Sequence, residues 1–300
     1  MELSILTVSF RCIEDTLRSF QSLSGGGAAG IEWEFLIGDN GSGDAATRNA
    51  FPESPCLRLF PGTENQGFGR ENNRLALHAH GRYILLLNPD TVTPKGTLGK
   101  LVAHLEANPQ CAACAPQLRN PDGSRQFSWN TGTGLAWEIA ECLYLQNPWR
   151  NAKEAKARKA SPDGPWTVDF ASAAALCIRR TAWEEVGGFD PAFFMNHEDI
   201  ELCHRLRRCG HEIHVLPLLG ITHFDSETQR KDWTGFVRNR LNGKWIALPR
   251  LFSGISLWAA RCVWFLNVGI RISASALMTG TQARQRHKGY RLALRERWLQ

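Results

Sequence analysis

The chain has no Gly-x4-Gly-Lys-Ser/Thr loop and no Gly-x-Ser-x-Gly elbow, which removes P-loop phosphate binding and the serine nucleophile of an α/β hydrolase. Gly25, Gly27 and Gly30 match Gly-x-Gly-x-x-Gly, yet they follow a helical pattern and precede a strand pattern, the reverse of the dinucleotide fingerprint, and so read as a loop. Only one Cys-x-x-Cys occurs, Cys111 and Cys114, with no second pair at zinc-site spacing. The nine cysteines are odd in number and scattered, which excludes a disulfide scaffold and leaves reduced thiols, these two as small buried hydrophobes. Met1-Glu2-Leu3-Ser4 carries neither a basic stretch nor a cleavage site, so no secretory signal is visible and a cytoplasmic catalytic body is expected. Between 251 and 279, Arg261 and Arg271 divide the apolar sequence into uncharged runs of ten, nine and eight residues. Each falls short of the roughly 18–20 residues that span a bilayer, and no transmembrane helix is expected. No internal repeat is found.

What is present is close to the globular average: 300 residues, 43% hydrophobic and 21% charged, enough for one large α/β domain or two modest ones. The net charge of +6 conceals an asymmetry. From Arg238 onward twelve Lys and Arg face Glu296 alone, so this tail carries +11 and residues 1–237 carry −5. With Trp245, Trp258, Trp264, Phe265 and Trp298 in it, the tail suits an anionic membrane surface; the bland alternative is helices packed on the body. A nucleic-acid partner is set aside, because the body shows no aromatic stacking platform or groove-reading helix.

Along the chain, strand patterns at Leu3–Phe10, Trp33–Ile37, Leu57–Phe60 and Tyr83–Leu87 alternate with helical patterns at Glu14–Leu23, from about Asp44, and from about Arg70 to His80. This rhythm predicts a mainly parallel sheet flanked by helices. Pro94–Asn108 reads as a helix, Cys111–Ala115 as a strand and Asn120-Pro-Asp-Gly123 as a turn. Residues 146–166, polar and rich in Lys, Ala and Pro, read as a mobile loop. A strand near Ala174–Ile178, a helix at Thr181–Val186, another from about Asn196 and a strand at Leu216–Thr222 follow. From Trp233 two or three helices are expected. The predicted units are 1–230, with halves near 1–118 and 119–230, and a basic helical extension at 231–300.

Ligands of open parallel sheets bind beyond the carboxyl ends of the strands. Three such ends are polar: Ser9-Phe10-Arg11, Asp39-Asn40 and Asn88-Pro89-Asp90. Asp90 follows three leucines, so a buried strand delivers a carboxylate to the sheet edge, which suits Mg²⁺ or Mn²⁺ shared with a diphosphate. Asp39, one strand away, can accept hydrogen bonds from a nucleobase or ribose. A second cluster joins Gly187-Gly-Phe-Asp-Pro191 to Glu198-Asp199, which open a helix. Acids there complement a helix dipole in any protein, but after the Gly-Gly turn and Phe193-Phe194 they also offer a fixed carboxylate for general base work. His223 reads as structural or as a metal ligand.

Taken together, Val8-Ser9-Phe10, Asp39-Asn-Gly-Ser42, Asn65-Gln-Gly-Phe-Gly69 with Asn72-Asn73, Leu85-Leu-Leu-Asn-Pro-Asp-Thr91, Gly187-Gly-Phe-Asp-Pro-Ala-Phe-Phe194, Glu198-Asp199 with Leu202-Cys203 and Arg205, and His223 resemble the inverting family 2 glycosyltransferases of GT-A fold, especially the rhamnosyltransferase-like branch. The likeness covers about residues 3–225. It implies transfer of a sugar, L-rhamnose from a dTDP donor in that branch, to a saccharide or lipid-linked saccharide in cell-surface polysaccharide synthesis. It further implies a donor site of Ser9, Phe10, Asp39, Asn40, Asn65, Gly67, Asn73, Asn88 and Asp90. Asp199 would be the base with Glu198 beside it, Asp90 and His223 would hold Mg²⁺ or Mn²⁺, and the protein would be peripheral on the inner face of the plasma membrane. The sequence departs from the family at Asn88, where the usual Asp-x-Asp becomes Asn-Pro-Asp, at Glu71 in a position usually small, and at Leu75 where Gly is frequent. The lost carboxylate is the main support for the rival reading, a catalytically weak or inactive nucleotide- or saccharide-binding scaffold.

Overall fold

The structure is a computed structural model, and it describes residues 1–41, 51–224 and 232–298. The helix expected from about Asp44 lies outside the described residues. Strands β1 (Leu3–Ser9), β2 (Trp33–Asp39), β3 (Leu57–Phe60) and β4 (Tyr83–Leu87) run parallel in the order β3-β2-β1-β4, with α1 (Ile13–Ser22) and α2 (Phe68–Ala76) between them. The β1 and β4 strands are buried throughout because alternate residues enter two different cores. Leu6, Val8, Leu36 and Leu86 pack with Leu75 of α2, whereas Ile5, Phe35, Ile37 and Leu85 pack with Phe20 of α1. Covered faces on both sides are what a parallel sheet requires.

A short strand β5 (Thr91–Val92) and helix α3 (Thr97–Ala107) lead to β6 (Cys111–Arg119), and β7 (Trp129–Asn130) to helix α4 (Leu135–Cys142). Residues Gln146–Ala160 form helix α5, not the expected mobile loop. The cause is local: Ala, Lys, Arg and Glu are strong helix formers, and Arg158 bonds Glu154 one turn earlier at 2.9 Å. Two short strands, β8 (Trp166–Thr167) and β9 (Phe170–Ala171), precede β10 (Ala175–Arg179), helix α6 (Arg180–Val186), helix α7 (Glu198–Arg208) and the long β11 (Glu212–His223). The β10 strand inserts antiparallel between β4 and β6, and β11 continues parallel to β6, so the full order is β3-β2-β1-β4-β10-β6-β11-β5 with β8 on β11.

All nine cysteines are free. Burial pushes the Cys111 thiol up to about 12.

The tail forms three helices, α8 (Trp233–Leu251), α9 (Gly254–Ala276) and α10 (Thr281–Trp298), around their own core of Leu241, Leu248, Trp264, Val268 and Ala293. They are joined to the body. Gly243 of α8 lies so close to the Met195-Asn196 backbone that a Cβ would meet the Asn196 carbonyl oxygen at 2.1 Å. Lys244 enters between Glu138 and Glu141 of α4 at 2.5 and 2.6 Å. Helix α9 is long and apolar enough to cross a membrane by length and composition, with 22% of its apolar window buried. Its arginines divide the uncharged run, but two charges in a 23-residue helix leave the mean hydropathy high.

Candidate active site

The three polar strand ends come together because β2, β1 and β4 are neighbours: Ser9 pairs with Asp39, and Leu6 with Leu86 two residues before Asn88. Asp39, Asn40 and Asp90 are all buried, at 4%, 3% and 4% exposure, although they stand at the sheet edge. Asn40 organises the loop beyond it. Its Nδ2 donates to Asn65 Oδ1 at 2.9 Å and to the Gly67 carbonyl at 3.3 Å, while its Oδ1 accepts from the Gln66 N–H at 2.9 Å. Gly67 has a φ of 90°, and a Cβ there would meet the Phe194 carbonyl oxygen at 2.2 Å, so only glycine lets this loop dock on the Phe193-Phe194 segment. The Phe68 N–H bonds that same carbonyl at 2.9 Å. Asn73 occupies both its amide groups with the Phe189 backbone, at 2.8 and 2.9 Å. It thereby clamps the Gly-Gly-Phe turn.

Around Asp90 the structure adds a residue that sequence reasoning missed. His223 Nε2 lies 3.2 Å from Asp90 Oδ1 and 3.2 Å from Asn88 Nδ2, and its Nδ1 lies 2.7 Å from Gln126 Oε1. The Gln126 amide is oriented by its own bonds, since its Nε2 donates to Asn120 Oδ1 and to the His223 carbonyl. Its oxygen therefore accepts the Nδ1 proton of His223. His223 Nε2 and Asp90 Oδ1 thus stand side by side at the sheet edge, with the ring orientation fixed through Nδ1. A carboxylate oxygen plus an imidazole nitrogen is a donor set that fits Mn²⁺ or Mg²⁺ with positions left for phosphate oxygens. No local pattern marked Gln126, which follows an ordinary turn 97 residues before its partner.

The acidic pair opens α7. Asn196 and His197 both have positive φ, 70° and 73°, which turns the chain sharply into the helix. Asp199 Oδ1 accepts from the Ile200 N–H at 2.9 Å, and Oδ2 faces the Ala173 N–H at 3.4 Å. Ala174, the next residue, accepts from the Asn88 N–H at 3.0 Å, so the acidic pair and the Asp90 loop share one short backbone link. Burial pushes Glu198 up to about 8, helped by the neighbouring Asp199 charge, and its Oε2 has no hydrogen-bond partner. Burial also raises Asp199, against the pull of the Ala173 and Ile200 N–H groups. Behind them Arg205 grips Glu201 through two bonds of 2.7 Å and donates to the Gly188 carbonyl, fixing the turn to the helix. The Glu71 departure has a structural cause: the buried carboxylate pairs with Arg74, which also holds the Phe60 carbonyl, while Leu75 is fully buried in the core.

A cavity of about 300 Å³ opens beside Gln126, with Phe127, Trp129, Asn130, Asn147 and Arg150 among its walls. The Arg150 guanidinium stands 3.1 Å from the centroid of the Phe127 ring, and burial lowers it to about 10.

Residues 4–185 match the model of glycosyl transferase family 2. The chain belongs to this family. Among curated relatives, it is 26% identical over 273 residues to the N-acetylglucosaminyl-diphospho-decaprenol L-rhamnosyltransferase of Mycobacterium tuberculosis, covering 86% of this chain and 87% of that one. It is 25% identical over 197 residues to the rhamnosyltransferase WbbL of Escherichia coli, covering 62% and 72%. Among solved structures it is similar to the mannosyltransferase PcManGT of Pyrobaculum calidifontis, solved with GDP-Man and Mn²⁺, with a TM-score of 0.62, 15% identity and coverage of 98% and 80%. The glycosyltransferase reading, the rhamnosyltransferase-like branch and the α/β architecture expected from the motifs are thus found.

Proposed function

We propose that this family 2 enzyme transfers a sugar, L-rhamnose from a dTDP donor, to a lipid-linked saccharide, with inversion at the anomeric carbon. The observation that carries the reading is the convergence of Ser9, Asp39, Asn88, Asp90 and His223 at one sheet edge, linked through Ala173 and Ala174 to Asp199. The rhamnosyl donor and lipid-linked acceptor follow the relative matched over nearly the whole chain. Ser9, Phe10, Asp39 and Asn88 face the nucleotide sugar, and Asn40, Asn65 and Gly67 shape the loop that closes over it. Asp90 and His223 hold Mn²⁺ or Mg²⁺, which when bound offsets charge on the departing diphosphate.

Asp199 takes the proton of the acceptor hydroxyl as that oxygen bonds to the anomeric carbon, and the bond from that carbon to the diphosphate breaks on the opposite side. Glu198, raised to about 8 by burial and by the neighbouring Asp199 charge, keeps its proton near neutral pH. The cavity beside Gln126 offers amides and aromatic faces, groups that suit a saccharide acceptor. Residues 1–230 form the catalytic unit, and 231–300 bring it to the inner face of the plasma membrane. Radiolabelled transfer from dTDP-L-rhamnose to a prenyl-diphosphate N-acetylglucosamine acceptor, with and without Mn²⁺, tests the reading. Metal-dependent product is expected. Donor binding without transfer or hydrolysis would establish the inactive scaffold instead.

A further inference from the structure

A second cavity, of about 210 Å³, lies where α4 meets the three tail helices. Four cations reach it, Arg240, Lys244, Arg271 and Arg286, against one acid, Glu141. Arg240 and Lys244 are already held by Glu141, at 3.2 and 2.6 Å, and Lys244 also by Glu138. The other two are differently placed. Arg271 bonds the neutral Asn267 amide, and Arg286 lies over the Trp233 ring, 4.0 Å from its centroid, with a buried Nε that has no hydrogen-bond partner. No carboxylate pairs with either among the described residues. A buried guanidinium nitrogen without an acceptor, as in Arg286, is costly, and a multiply charged oxyanion would satisfy it while also reaching the Arg271 fork.

Beside the cavity, next to Arg271, the surface is apolar. Arg271 also packs on Tyr144, 4.8 Å from its ring centroid, and Leu143, Tyr144 and Leu145 are exposed by 55%, 49% and 50%. A cationic cavity and an exposed apolar patch beside it together fit an amphiphile with an anionic head. The cavity is linked toward the acidic pair, because Lys244 also lines a small pocket with His197, the residue before Glu198. Resting on the transferase reading above, we propose that Arg271 and Arg286 bind the diphosphate of the lipid-linked acceptor in this cavity, while its saccharide extends toward Asp199.

Farnesyl diphosphate is the probe, its binding to the full chain followed by tryptophan fluorescence, since Trp233 and Trp264 line the cavity. It should bind at least about tenfold tighter than farnesol or inorganic pyrophosphate, and the Arg271→Gln/Arg286→Gln double variant should lose about tenfold or more, as loss of charge-assisted bonds requires. The charge-keeping Arg271→Lys/Arg286→Lys variant should recover most of that loss, which separates lost charge from misfolding. Unchanged affinity in the Gln variant, displacement of the probe by dTDP with Mn²⁺, or an equal arginine dependence for phosphatidylglycerol vesicles would each overturn the assignment. Failure of the donor reading would show separately, as absence of dTDP binding by the unaltered protein.

Discussion

At the scale of single residues, the acidic pair at the start of α7 carries the proposed chemistry and a distinct pH behaviour. Replacing Asp199 by Asn keeps its size and one of its two bonds from backbone N–H groups, since the amide NH2 cannot accept the other, and removes the proposed proton acceptor. Turnover should fall about 10²–10⁴-fold, the usual worth of a general base, while nucleotide binding measured by calorimetry stays within about twofold. Glu198 makes a different prediction. Its ordinary value of 4.5 rises to about 8 in the folded chain, so between those values the folded protein holds a proton that the unfolded chain has released. Stability therefore falls as pH rises through this window. His197 acts in the opposite sense: burial lowers it to about 3, so its contribution is lost as pH falls below 6.5. Comparing Glu198→Gln with the parent isolates the first effect, and the melting temperature of the variant should decline less between about pH 5 and pH 8. Parallel profiles for the two proteins would show that Glu198 does not titrate there.

At the scale of elements, the tail is tied to the body through one buried ion cluster. Lys244 is 5% exposed, and Glu138 and Glu141 are its partners from α4. Burial raises Glu138, whereas the Lys244 and Arg240 charges overcome burial and hold Glu141 well below the usual carboxylate range. Lys244→Met fills the space but strands two carboxylates, and should cost about 3–5 kcal/mol in chemical denaturation. The triple change with Glu138→Gln and Glu141→Gln should recover most of it. This cluster was not legible in the sequence. The strands β1 to β4 were, because runs such as Tyr83–Leu87 have the length and β-branched or leucine content of doubly covered strands. Helix α5 was not, since the same Lys and Ala that favour a helix also make a polar stretch resemble a loop, and its Phe127–Arg150 contact is nonlocal. Asp90 and Asp199 could be singled out by their place at element ends. Gln126 and Lys244 could not, since each gains its role only from a partner about a hundred residues away.

At the scale of the whole molecule, charge and apolar surface are concentrated on the tail. Ile255, Trp258 and Leu266 of α9 are exposed by 88%, 69% and 57%, and they lie on one stripe at helical spacing. The opposite stripe, Ala260, Trp264, Val268 and Ser275, is buried against the other tail helices and the body. A helix held along its length on one side can present the other side to a bilayer only while lying in the membrane plane, so α9 is expected to rest in the interface rather than cross it. The +11 charge from Arg238 onward adds attraction to anionic lipid. Sedimentation with phosphatidylglycerol vesicles should therefore weaken with added salt, since exposed charges are screened over about 8–10 Å. Removing the apolar term is the sharper test. Burying one large apolar side chain stabilises by about 1.5–3 kcal/mol, so Trp258→Ser with Leu266→Ser should reduce vesicle partitioning by more than about tenfold at fixed salt. Transfer to a water-soluble saccharide acceptor should be unaffected, because both side chains are largely exposed. Full retention on vesicles would place membrane contact elsewhere and leave the exposed stripe of α9 without that role.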